Sequence, residues 1–181
     1  MDFPLSQVLK NGIKVEIDYI HPEEKEAVRA LLNTVIIEGK TYPQKQPLSQ
    51  AEFSSYWLSK DAFVVRASVV DTTHKLKEIL GAFYLKPNFP GRCSHICNAG
   101  FIVQPRLRGQ GIGRFMGEAM LSIAANLGYE AVMFNLVFET NIASITLWQS
   151  LGFEIIGRIP RAAKLENEQV VEALILYRTL H

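Results

Sequence analysis

Cysteine is scarce in this sequence: only Cys93 and Cys97 occur, with His95 between them. On one extended strand the three share a face, with the outer pair about 13 Å apart. That separation excludes a disulfide and joint zinc ligation, so reduced thiols and no metal are expected. Only a turn at Gly91-Arg92 takes Cys93 out of this geometry. An excess of charge is missing too. Nineteen Lys and Arg face eighteen Asp and Glu, a net charge of +1, so the basic footprint of a nucleic-acid binder is absent. No apolar run is long enough to cross a bilayer. The opening Met1-Asp-Phe-Pro-Leu-Ser6 has neither the basic nor the apolar region of a signal peptide, and a cytoplasmic location is expected. Internal repeats, low-complexity tracts and linkers are also lacking, which leaves one domain over residues 1–181. With 48% hydrophobic and 20% charged residues, the chain has the composition of a globular protein with a sizeable core.

What is present is a glycine run. Ala99-Gly-Phe-Ile-Val103 reads as a strand, and Arg114 to Ala125 reads as a helix. Between them Gly109, Gly111 and Gly113 alternate with Gln110 and Ile112. Glycines before a helix let several backbone N–H groups point at one spot, and the helix N-terminus adds partial positive charge. The product is a phosphate or pyrophosphate cradle. Spacing excludes two common versions. A P-loop needs Gly-Lys-Ser/Thr after the first glycine, and none follows. A G-x-G-x-x-G fingerprint needs a third glycine where Arg114 or Met116 stands.

A second motif lies downstream. In Asn141-Ile-Ala-Ser144-Ile-Thr-Leu147-Trp148-Gln-Ser-Leu-Gly152-Phe153, apolar residues recur at three-residue spacing. Asn141 can cap the helix start, and Gly152 can supply a left-handed stop. Alone, this is an ordinary amphipathic helix.

Around these motifs, strands are expected at Ile13–Ile20, Ala62–Val70, Glu78–Leu85, about Ser94–Val103, Glu130–Val137, Phe153–Arg158 and Val170–Tyr177. A turn at Asp71–Lys75 makes the second and third a hairpin. One helix runs from Pro22 to near Gly39, and Ser49-Gln-Ala-Glu52 is a capping box for another through about Leu58. The crossover helix makes Glu130–Val137 parallel to the strand before it.

The R-x-x-G-x-G of Arg108, Gly111 and Gly113, preceded by Val103-x-Pro105, resembles the coenzyme A pyrophosphate loop of the GCN5-related N-acetyltransferase (GNAT) superfamily. The Asn141–Phe153 segment resembles that family's N-x-x-[AS]-x-x-L-[YW]-x-x-x-G-F segment. Together the motifs and the strand between them cover about a third of the chain. The resemblance implies an α/β (α+β) fold, a mixed sheet of about seven strands with helices on both faces, in the order β-α-α-β-β-β-α-β-α-β-β. It also implies acetyl-CoA as acyl donor. The strand at Phe101, Ile102 and Val103 would meet the pantetheine arm. The loop Arg108, Gly109, Gln110, Gly111, Ile112, Gly113 and Arg114 would hold the pyrophosphate, and Asn141, Ser144 and Trp148 would complete the cofactor site. In the family the strands flanking the loop helix diverge, and the acyl group sits at their splay. Here they carry Asn98 and Asn135.

Trp148 stands where many members place a tyrosine that protonates the leaving thiolate, and an indole N–H is not a useful acid. A hydrogen bond from Asn141 is the alternative. Glu38, Glu139 and His95 are candidate bases, as is a water held by the asparagines. A narrower resemblance concerns the acceptor. Residues 88–95, Cys97–Phe101, Phe134–Asn141 and Gly157–Lys164 are similar to fungal N-acetyltransferases that act on azetidine carboxylate and cis-hydroxyproline. Their catalytic asparagines match Asn98, Asn135 and Asn141. The expectation is direct acetylation of a small-molecule amine without an acyl-enzyme and with no Cys97 nucleophile. The favoured acceptor is a proline-like imino acid or amino acid. A protein N-terminal or lysine acetyltransferase and a non-catalytic acyl-CoA sensor are the alternatives. No nucleic-acid or membrane partner is expected, and a homodimer is compatible with the resemblance.

Overall fold

A computed structural model describes residues 1–68 and 77–180. The expected turn at Asp71–Lys75 and the last residues of the Ala62–Val70 strand lie outside the described residues. The strands are β1 (Leu5–Val8), β2 (Lys14–Tyr19), β3 (Asp61–Ala67), β4 (Ile79–Pro87), β5 (Ile96–Val103), β6 (Ala131–Phe138), β7 (Glu154–Lys164) and β8 (Val170–Thr179). The helices are α1 (Lys25–Ile37), α2 (Gln50–Trp57), α3 (Ile112–Asn126) and α4 (Ile142–Ser150). Among the described residues no helix is long and apolar enough to cross a membrane.

The eight strands form one mixed sheet in the order β1-β2-β3-β4-β5-β6-β8-β7. The strand not expected from sequence is β1, a four-residue edge strand paired antiparallel with β2. It is too short for its apolar alternation to stand out. The capping box at Ser49 forms as expected, with Ser49 and Glu52 satisfying each other's backbone N–H groups. Pro22 opens only a short 3-10 turn, Pro22–Glu24, and the α-helix proper starts at Lys25. Expected to end at Arg158, β7 instead continues to Lys164 through two irregularities in its pairing with β8. Cys93 falls in a 3-10 turn, Gly91–Cys93, and not on β5, so the shared strand face of the two cysteines does not form.

Two cores sandwich the sheet. Phe115, Met116, Met120 and Ile123 of α3 and Trp148 of α4 pack on one face against Phe83, Cys97, Val132 and Phe134. Val28, Leu32 and Ile36 of α1 and Phe53 and Trp57 of α2 pack on the other against Val64, Tyr84 and Ile102. This follows from strand alternation: from Gly81 onward in β4, and along β5, even-numbered residues face α1 and α2 and odd-numbered ones face α3.

The start of α1 is tied to β3 by an ion pair that is nearly fully buried. Arg66 donates from Nε and Nη2 to the two carboxylate oxygens of Glu24 at 2.5 and 2.7 Å, and from Nη2 to the Tyr19 carbonyl at 2.9 Å. Burial pushes the Glu24 carboxyl up, but the Arg66 hydrogen bonds, the His21 N–H and the Arg66 charge outweigh it and hold it below the usual range. A depressed carboxylate contributes stability above its unfolded-state pKa and loses it as pH falls through the folded value. Arg66→Ala strands this carboxylate and is expected to cost about 3–5 kcal/mol, read as a lower urea midpoint at pH 7. The loss should shrink as the solution is acidified below pH 4.

Candidate active site

The parallel pairing of β5 with β6 is short. Only Ile96↔Ala131 and Cys97↔Val132 are in register, and beyond Cys97 the strands part. On the far side, β6 carries one extra residue against β8 between Phe134 and Val137. Such a bulge re-aims side chains locally, and here it holds Asn135 and Leu136. The wedge opens into a cavity of about 780 Å³.

Backbone geometry makes one half of that cavity. The Asn88 N–H bonds the Ile96 carbonyl at 2.8 Å, and the Gln104 N–H bonds the Leu80 carbonyl at 3.0 Å. Even-numbered residues of β5 therefore spend their backbone groups on β4. The polar groups of Ala99, Phe101 and Val103 face the wedge instead. Of the three residues expected from sequence, Phe101 and Val103 have their backbone groups on this side. Ile102 turns its backbone to β4, and its side chain is buried under α1 and α2.

The loop after β5 delivers the second element. Gly109 and Gly111 take φ of 76° and 93°, values that carry a steric cost for other residues. Gly111 is the residue before α3, and the first N–H groups of that helix have no intrahelical acceptor. Arg108, Gly109, Gly111, Gly113 and Arg114 line the cavity. Arg108 is held by Glu38 at 2.8 Å, and Arg114 by Ser150 at 2.8 Å. The side chains of Gln110 and Ile112 do not line the cavity. The Gln110 side chain turns away, accepting from Asn11 at 2.9 Å and donating to the Arg106 carbonyl. The Ile112 side chain is in the core. Only their backbone N–H groups remain for a ligand.

Asn98, Asn135, Asn141, Ser144 and Trp148 all line the same cavity. Asn141 caps α4, its Oδ1 accepting from the Ser144 N–H at 3.3 Å. Asn135 exchanges two hydrogen bonds with Asn88, at 2.6 and 3.0 Å. An amide has four hydrogen-bonding sites, so half of the capacity of Asn135 is left for the cavity. Asn98 makes no side-chain hydrogen bond among the described residues. Trp148 is 4% exposed and packs 4.7 Å from Phe101 and 4.6 Å from Phe134, centroid to centroid. It is a wall of the wedge.

The candidate bases lie elsewhere. Glu38 binds Arg108, and Glu139 accepts from the Glu172 N–H at 2.9 Å. His95 sits in the exposed turn before β5, its carbonyl taken by the Glu130 N–H. None of the three lines the cavity, and among the described residues neither does any other carboxylate or imidazole. Sequence reading missed the opposite wall, made by Tyr42, Tyr56, Tyr84 and Lys86. Burial pushes the Tyr42 and Tyr84 phenols upward, so both stay neutral donors. Tyr42 donates to the Phe101 carbonyl at 3.4 Å. A Cβ at Gly100 would overlap the Tyr84 ring and meet the Tyr42 hydroxyl at 3.0 Å. That close approach explains a glycine inside β5.

An unpaired strand edge leading to a glycine cradle at a helix N-terminus defines a protein that holds an extended, amide-bearing ligand with a phosphorylated end. Residues 31–153 match the model of the acetyltransferase (GNAT) family. The chain is 40% identical over 156 residues to N-acetyltransferase aca1 of Schizosaccharomyces pombe, covering 80% of this chain and 74% of that one. It is 34% identical over 101 residues to protein SPT10 of Saccharomyces cerevisiae, but those are 56% of this chain and 16% of SPT10. The fold matches a GCN5-related N-acetyltransferase from Kribbella flavida with a TM-score of 0.82 and 28% identity, covering 91% of this chain and 97% of that one. It also matches YncA of Salmonella typhimurium, solved with acetyl-CoA, with a TM-score of 0.79 and 14% identity over 92% and 94% of the two chains. The chain belongs to the acetyltransferase (GNAT) family. Its activity is acetyl-CoA-dependent N-acetylation, and the cradle fits the cofactor: beside Gly109, where a Cβ would stand, there is open space.

The two cysteines differ sharply. Cys93 is exposed and Cys97 is buried, and burial pushes the Cys97 thiol up to about 12. A thiol reagent at pH 8 is expected to modify one thiol quickly in the native protein and two in denaturant. Two fast thiols in the native protein would contradict this placement of Cys97.

Proposed function

We propose that the protein acetylates the nitrogen of a proline-like imino acid or an amino acid, directly and without an acyl-enzyme. The observation that carries this reading is the convergence of Asn98, Asn135 and Asn141 on a cavity without acidic side chains among the described residues. An acidic groove suited to a lysine-rich peptide is not what lines it; the cationic residues there are Lys86, Arg108 and Arg114. Acetyl-CoA supplies the activated acetyl thioester. The loop from Arg108 to Arg114 binds its pyrophosphate, and the free edge of β5 at Phe101 and Val103 orients its pantetheine amides.

In the balanced step, the acceptor nitrogen forms the new N–C bond as the C–S bond breaks. The amine proton passes to water, and the sulfur leaves as a thiolate that takes up a solvent proton. Asn135 has an amide N–H left over from its pair with Asn88. It offers this to the negative charge that develops on the acetyl oxygen. Asn98 positions the acceptor nitrogen, and the Nδ2 of Asn141 donates to the leaving sulfur. A thiol needs little acid assistance at its ordinary pKa of about 8.5, which accommodates Trp148 in place of an acid. Trp148, Phe101 and Phe134 keep the wedge floor dry. Cys97 stays protonated and takes no part.

Thiol release with acetyl-CoA and a panel of amines tests the reading. Asn135→Ala is expected to lower kcat by about 10²–10³ while leaving the dissociation constant for CoA unchanged. An unchanged rate removes Asn135 from the site. Cys97→Ala is expected to retain most turnover and to show no burst of acetylated enzyme; loss of both turnover and burst would restore an acyl-enzyme route. Tight CoA binding with no turnover of any amine would favour the sensor.

A further inference from the structure

We infer that Lys86 is the carboxylate-binding residue of the acceptor subsite, which makes the enzyme selective for amines that carry a free carboxylate. The inference deepens the proposed acetylation of small amino or imino acids and rests on it.

The cavity is cationic at two poles. Arg108 and Arg114 stand at the loop that follows Val103. Lys86 stands at the other end, opposite Asn98 in the β4–β5 register. From Asn98 to Val103 an extended strand runs about 17 Å, so the poles serve different ligand groups. Facing residues on antiparallel strands project to the same face with Cβ atoms about 5 Å apart. This puts the Lys86 ammonium within a small molecule's length of the asparagines at the head of the wedge. Asn88 follows β4 on the same side and carries the hydrogen bonds to Asn135.

The ammonium is held there. Its Nζ lies 4.8 Å from the centroid of the Tyr56 ring and 4.7 Å from that of Tyr84, and it donates to the Tyr56 carbonyl at 3.2 Å. These contacts orient the cation without neutralising it. Among the described residues no carboxylate pairs with it, and no acidic residue lines the cavity. Burial alone pulls its pKa below the usual lysine value, as expected for a cation short of both water and counter-ion. A ligand carboxylate supplies that counter-ion. The lysine ammonium is a compact point charge suited to one singly charged group. Arg108 and Arg114 at the other pole are the cations that face the phosphorylated end, so the anion left for Lys86 is a carboxylate of the acceptor. The same contact positions an amine one carbon away from the carboxylate, beside Asn98 and Asn135.

The test compares proline with prolinamide and alanine with alaninamide as acceptors for the wild type, Lys86→Met and Lys86→Arg. Titration calorimetry of the same four compounds into the CoA-bound protein accompanies the assay. Wild type should prefer each acid over its amide. Lys86→Met should raise KM for the acids roughly 10- to 100-fold, leave the amides and the acetyl-CoA KM unmoved, and keep the wild-type Tm. Lys86→Arg should recover part of the acid preference. The calorimetric affinities should follow the same order without turnover. Equal use of acids and amides by the wild type would overturn the assignment, as would acid preference surviving in Lys86→Met. Preference for alanine over proline, with acids still above amides, would fail the proline-like reading and uphold Lys86. If no acceptor turns over, calorimetry decides, and absence of acid-selective binding overturns the assignment.

Discussion

The parting of β5 from β6 is the constraint around which this molecule is built. A buried strand cannot leave its N–H and C=O groups unpaired without large cost. Two paired residues are followed by a free edge that looks into a cavity. The bulge in β6 keeps the strands apart while allowing β6 to rejoin β8 at Val137. Below the gap, Phe101, Phe134, Trp148 and Phe153 form an aromatic floor under α3 and α4. A chain section able to fill the gap needs alternating amides, and the sheet itself provides none.

The two faces divide the labour. On the α3 side the groups turned to the cavity are largely backbone: the edge of β5, the glycine loop and the N-terminus of α3. On the α1–α2 side they are side chains: Lys86, Asn98, Asn135 and the three tyrosines. Main-chain recognition survives wide divergence of sequence, and the fold persists among neighbours at 14–28% identity. Side-chain recognition depends on the particular residues present, and a shared fold alone does not specify it.

Legibility in the sequence followed the same division. The loop at Gly109–Gly113, the Ser49 capping box and the Asn141 helix each depend on near neighbours in the chain, and each was readable from spacing. The Asn88–Asn135 pair joins residues 47 apart, and no local pattern marks it. Lys86 lies just past the strand expected at Glu78–Leu85 and carries no local signal, because its tyrosine partners come from α2 and from within β4. Glu38, Glu139 and His95 were plausible bases by residue type alone. In the fold Glu38 and Glu139 are spent on other contacts and His95 stays in an exposed turn. The bulge in β6 and the irregularities in β7 are products of register with β8, which one strand's own sequence does not encode.

The turn between β1 and β2 has a quieter consequence. Asn11 donates to Gln110, and Leu9 stands 3.8 Å from where a Gly111 Cβ would be. The glycine loop is thus buttressed from behind by the turn that joins a four-residue edge strand to its neighbour. The placement of a loop that lines the cavity therefore depends on residues at the margin of the sheet, about a hundred positions earlier in the chain.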